Sequence, residues 1–130
     1  MSTTPFENLD IECAKVGKEI AKKPSKELEK VITDALSVLE EQGVYALFLF
    51  LKTHNKKTEG TEISNKLKAF LQEKPKQSPL IDKNDKIWQP LQTMAEDLDK
   101  LLFARDLIRQ TLIYARYHAR LIDEEKEVQK

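Results

Sequence analysis

The chain has 130 residues, with 22 Lys+Arg against 22 Asp+Glu, 40% hydrophobic and 34% charged residues, three Gly, five Pro and one Cys. That length suits one domain, residues 1–130, able to bury roughly two-thirds of the surface its unfolded chain exposes. The composition excludes both a disordered tail and an integral membrane protein. Zero net charge excludes a protein basic all over and leaves the distribution of charge as the informative quantity.

One cysteine cannot form an internal disulfide, and residues 1–5 lack the basic and apolar stretches of a secretory leader, so a cytoplasmic protein is expected. The longest apolar run, residues 44–51, is about eight residues, far below the roughly 20 that span a bilayer.

With three glycines and no alternation of apolar and polar residues, strands are not expected, and the pattern predicts an all-α fold. The first segment, residues 6–23, places Leu9, Cys13, Val16 and Ile20 on one helical face, with Glu7, Asp10 and Glu12 near its start and Lys15, Lys18, Lys22 and Lys23 near its end. That order of charge suits the helix macrodipole. Pro24 stops it, and Ser25 is a suitable N-cap for a second helix striped by Leu28, Val31, Ile32, Ala35, Leu36 and Leu39. Gly43 is read as a left-handed C-cap that reverses the chain. The run 44–51 is apolar on all sides and predicts a buried central helix.

Residues 53–60 read as a lysine-rich loop, after which Thr61 caps a short helix carrying Ile63, Leu67, Phe70 and Leu71. Residues 74–83, with Pro75 and Pro79, read as an exposed connector. Helical pattern resumes at Asn84, with Pro90 forcing a start or a kink near Trp88 and Gln89. The last and longest helix is expected over residues 94–125, giving a compact bundle of about five to six helices with a long C-terminal helix.

Chemistry-bearing motifs are scarce. His54 and His118 have no metal-ligand partners at the spacings zinc or di-iron helices use, so no metal site is expected. Phosphate-cradling glycine loops and a G-x-S-x-G nucleophile turn are lacking. Cys13 sits on the apolar stripe of its helix and reads as a core cysteine. The carboxylates at 40–41, 97–99 and 123–125 read as solvated helix ends. Without an acid, base and nucleophile in one constellation, no catalytic residue, cofactor or enzymatic activity is expected. Tyr45, Phe48 and Phe50 could form a base-stacking platform, but flanked by Leu47, Leu49 and Leu51 they read as core. Trp88 and Tyr114 are assigned to no ligand.

The outstanding feature is that all four arginines, Arg105, Arg109, Arg116 and Arg120, lie on the last helix, whereas eighteen lysines are spread over the chain. At about 100° per residue they occupy one strip about 60° wide and about 22 Å long. Leu101, Ala104, Ile108, Leu112, Ala115, Ala119 and Ile122 fall on a separate arc. A planar guanidinium grips phosphate with two parallel hydrogen bonds, so a bare row would contact a nucleic-acid backbone in a salt-sensitive, sequence-independent way. Two other readings stay open: pairing with Asp106, Asp123, Glu124 or a neighbouring helix, and docking onto an acidic partner protein.

The order of elements resembles the small helical subunit of type III-B CRISPR effector complexes, the Cmr small subunit. The resemblance rests on the opening helix around residues 10–15, the Glu41-Gln42-Gly43-Val44 turn with its apolar continuation Tyr45-Ala46-Leu47-Phe48-Leu49, and a closing helix with Asp99, Phe103 and Arg116-Tyr117-His118-Ala119-Arg120. It implies a non-catalytic subunit of an RNA-guided ribonucleoprotein in antiviral defence. Several copies would stack beside guide RNA and target RNA, touching one another and the other effector subunits, with RNA cleavage left to those subunits. Where base pairing reads sequence, a lining protein needs only fixed positive charge. The competing expectation is a helical adaptor whose arginine stripe docks an acidic partner.

Overall fold

The computed structural model describes residues 8–53, 58–76, 78–81 and 88–128, with Thr58 and residues 122–128 described by backbone alone. Six helices, and no strand among the described residues, make up an all-α bundle closed by a long last helix: α1 (Leu9–Ile20), α2 (Lys26–Gln42), α3 (Val44–Thr53), α4 (Thr58–Glu73), α5 (Trp88–Ala95) and α6 (Leu98–Val128). His54 and residues 84–87 of the expected fifth helix lie outside the described residues.

Helix α1 spans the expected apolar stripe from Leu9 to Ile20 and stops short of Lys23, while Phe6 and Glu7 lie outside the described residues. Asn8 caps it, its side chain accepting from the Ile11 N–H at 3.1 Å, and Asp10 and Glu12 lie in the first turn. It ends at Ile20 because the ring of Pro24 would collide with the carbonyl four residues back. Ser25 then caps α2, accepting from the Leu28 N–H at 3.0 Å, and Leu28, Val31, Ile32, Ala35 and Leu39 are buried.

Gly43 serves two helices. Its N–H donates to the carbonyls of Val38 and Leu39, and its own carbonyl accepts from Leu47 at 3.0 Å, so α2 and α3 join with no loop. Its φ of 96° is positive as expected, but ψ is −176°, an extended glycine-only conformation rather than the left-handed helical one. Helix α3 buries Val44, Leu47, Phe48 and Leu51 and leaves Leu49 41% exposed. It is therefore a one-sided helix, packed mainly on α2 and α4, and not a fully enclosed one.

Three boundaries differ from the sequence reading. Helix α4 starts at Thr58, so Thr61 is internal rather than a cap, and Glu59 in the first turn suits that end. The segment after α4 is not simply an exposed connector: Leu80 and Ile81 are buried, and both donate to the Leu71 carbonyl, at 3.0 and 3.2 Å, which the helix end would otherwise leave orphaned. Met94 belongs to α5, since Asp97 breaks the helical run and caps α6 by accepting from the Lys100 N–H at 3.2 Å. Pro90 sits in the first turn of α5, where a missing N–H costs little.

The core gathers the inner faces of all six helices around α6. Helix α1 lies closest to it, because the small residues Cys13, Gly17 and Ala21 recur every fourth position and bury almost completely. A Cβ on Gly17 would stand 2.9 Å from the Thr111 carbonyl oxygen, the Ala115 nitrogen and the Tyr114 Cβ.

Candidate functional site on the last helix

Helix α6 has two distinct sides. Ala104, Leu107, Ile108, Thr111, Leu112, Ala115 and Ala119 are buried, and the Thr111 hydroxyl is satisfied by donating to the Leu107 carbonyl at 2.8 Å. The arginines lie off this arc, as the spacing predicts, with side chains 34% exposed at Arg105, 36% at Arg109 and 56% at Arg120.

They are not bare. Glu40 of α2 takes both Arg105 (Nη2–Oε2, 3.3 Å) and Arg109 (Nε–Oε1, 2.5 Å). Asp106 approaches Arg109 at 3.5 Å, and Glu29 of α2 lies 3.6 Å from Arg120. Among the described residues no carboxylate pairs with Arg116. The Nε atoms of Arg105, Arg109 and Arg116 are screened from solvent without a well-directed hydrogen bond, so the short Arg109–Glu40 approach is a charge contact rather than an aligned hydrogen bond. The expectation of a bare row is thus corrected: of the in-chain partners foreseen, Asp106 and carboxylates on a neighbouring helix are in place, while the side chains of Asp123 and Glu124 lie outside the described residues.

The cause is a register. Helices α2 and α6 run antiparallel, and Glu29 and Glu40 are separated by the same interval as Arg109 and Arg120, about three helical turns. Pairing Glu40 with Arg109 therefore also sets Glu29 beside Arg120. The same register sets Arg116 opposite Thr33, which offers no charge. Glu29 and Glu40 are the site residues that the sequence reading missed, although the matched interval on two amphipathic helices was visible in it. Each half-exposed pair contributes about 0–1 kcal/mol, so the carboxylates mainly hold guanidiniums in place. Among the described side chains, four cations against Glu29, Glu40 and Asp106 give the strip a small excess of positive charge.

Beside the arginines, α6 exposes much apolar surface. Leu98 (65%), Leu102, Phe103, Tyr117 (63%) and Leu121 account for most of the large exposed hydrophobic side chains.

The other candidates are accounted for by packing. Cys13 is 1% exposed, its thiol lies 3.5 Å from the Leu107 carbonyl as a weak donor, and burial raises its pKa. Phe48 is fully buried. Tyr45 packs on Trp88 with ring centroids 5.6 Å apart, and its hydroxyl oxygen accepts from Gln92 at 3.4 Å, so these rings form no free stacking platform. The Tyr114 hydroxyl donates to Asp10 at 2.8 Å. Among the described residues no group of three His, Cys, Asp or Glu could hold a metal ion, and no helix is long and apolar enough to cross a membrane. No family model, curated protein or solved structure matches the chain.

Proposed function

We propose that this chain is a non-catalytic small subunit of a type III CRISPR ribonucleoprotein, lining guide and target RNA through sequence-independent backbone contacts within a cytoplasmic complex. The observation that carries the reading is the outer arc of α6, where the arginine strip lies beside exposed leucine and aromatic side chains toward both ends of the helix. Such a face suits a component with neighbours on several sides. The likeness of element order and turn sequence to the Cmr small subunit supplies the specific assembly.

In this role the carboxylates of α2 orient the guanidiniums. A guanidinium has five N–H donors, so Arg105, Arg109 and Arg120 keep donors for phosphate after meeting Glu40 and Glu29. Arg116, with no carboxylate beside it among the described residues, brings its full charge. The small excess of charge makes the isolated chain a weak RNA binder, and affinity arises from several copies acting along one backbone.

The test is to tag the chain in its native host and sequence any co-purifying RNA. Short guide-like RNAs together with the other effector subunits are expected, and Arg116→Ala combined with Arg109→Ala should reduce target binding with a shallower salt dependence. Recovery of the chain free of RNA would overturn the reading. The exposed apolar side chains favour one second reading, a helical adaptor for an acidic protein, whose partner would stay bound after nuclease treatment.

A further inference from the structure

The solvent side of α6 is self-complementary about its own midpoint. Phe103, Asp106, Gln110, Ile113, Tyr117 and Arg120 follow one another at steps of three, four, three, four and three residues, a heptad-like seam that reads the same in either direction. None of these side chains is buried. Placing a second α6 antiparallel to the first, with a two-fold axis between Thr111 and Leu112, brings Asp106 opposite Tyr117 of the other copy and Phe103 opposite Arg120. Leu102 then meets Leu121 at each end.

The chemistry agrees at three of the four facing pairs. Asp106 has a side chain 68% exposed, held only at 3.5 Å by Arg109. Across the axis it meets a phenolic hydroxyl that can donate to it, with the Arg120 guanidinium one turn away. Phe103 offers a ring face to that same guanidinium. Leu102 and Leu121, 46% and 50% exposed, cover each other. A two-fold contact requires the same patch to serve both copies, and here Asp106, Phe103 and Leu102 find their complements Tyr117, Arg120 and Leu121 on the same helix, while Gln110 lies against Ile113 nearest the axis.

We infer that the outer face of α6 is a homodimer interface, in which a second copy of this chain packs antiparallel across the two-fold between Thr111 and Leu112. The contact runs about 28 Å along the helix, so one helix pair carries it and the dimer forms reversibly. It is tested without RNA, and because it takes up Arg120, a dimerised copy offers phosphate only Arg105, Arg109 and Arg116.

Sedimentation equilibrium of the full-length protein over a concentration series should show a monomer–dimer equilibrium. Asp106→Arg sets like charges at Arg120 of the second copy, and Arg120→Asp sets them at Asp106. Each variant alone should weaken dimerisation by about tenfold or more, with the helical circular dichroism signal retained. Leu102→Lys, at the end of the contact, should do the same. Mixing Asp106→Arg with Arg120→Asp restores both opposite-charge pairs across the axis but no contact within either chain, so the mixture should dimerise where neither variant does. A protein monomeric at every concentration, single variants that dimerise like the native chain, or a mixture that stays monomeric would each overturn the proposal.

Discussion

Gly17 of α1 and Thr111 of α6 meet backbone to backbone, close enough that a Cβ on Gly17 would stand 2.9 Å from the Thr111 carbonyl oxygen. The Ala115 nitrogen is equally near, on the same helix. Neither group can rotate aside as a side-chain end could. Alanine would gain about 1 kcal/mol of helix propensity, yet the overlap pushes α1 off α6. Gly17→Ala should therefore lower stability by a net ~1–3 kcal/mol, seen as a lower urea midpoint with unchanged slope.

Gly43 is constrained differently, since no atom lies within 4 Å of a Cβ built there and the restriction is its φ of 96° with ψ −176°. Gly43→Ala should cost ~1–3 kcal/mol through backbone strain alone. Asparagine, which relieves a left-handed helical position, should not help at this ψ. A D-alanine placed by semisynthesis should be tolerated, because its mirror-image preference makes the angles ordinary extended backbone. Equal losses with L- and D-alanine, measured by thermal unfolding, would refute this account.

Where the apolar period was strong, the sequence was a reliable guide, as in α2, whose stripe and Ser25 cap appear as read. It misled where a polar residue made a choice that periodicity does not register. Asp97 can either continue a helix or cap one, and only its bond to the Lys100 N–H separates α5 from α6. Leu80 and Ile81 looked like connector because the prolines around them dominate the local pattern, while their burial depends on a long-range approach to Leu71. The arginine row was legible as a strip on one helix. Asp106 was legible as a partner too, but which helix supplies the others was not, because the register between α2 and α6 is set by core packing of both helices.

Alkaline pH should destabilise the fold through two groups. Burial raises the Cys13 thiol pKa, and the hydrogen bond to Asp10 raises that of the Tyr114 phenol, because the phenolate could not donate to a carboxylate. Both groups bind their protons more tightly folded than unfolded. Stability is thus unaffected by them below their unfolded pKa values and falls as pH rises above about 8.5 for the thiol and about 10 for the phenol. Urea midpoints should hold from pH 7 to about 8.5 and decline from there to about 10.5. Asp10→Asn should bring the phenol's absorbance titration back toward its ordinary value, and alkylation of native Cys13 should be slow until the protein unfolds.

Glu40 separates the two uses of the arginine row, because it engages Arg105 and Arg109 together. If those guanidiniums meet phosphate, Glu40→Gln releases positive charge. Retention on an immobilised polyanion such as heparin should then rise, and the logarithmic salt dependence should steepen by up to about one counterion. Arg109→Ala should move both quantities the other way. If the row only ties α6 to α2, Glu40→Gln should raise retention no more than removing the charge of the neighbouring exposed Glu41 by Glu41→Gln does, and change stability by about 1 kcal/mol at most. Because the two readings predict different results on one column, retention of Glu40→Gln no higher than that of Glu41→Gln would count directly against RNA contact by Arg105 and Arg109, leaving Arg116, with which no carboxylate pairs among the described residues, to act on phosphate.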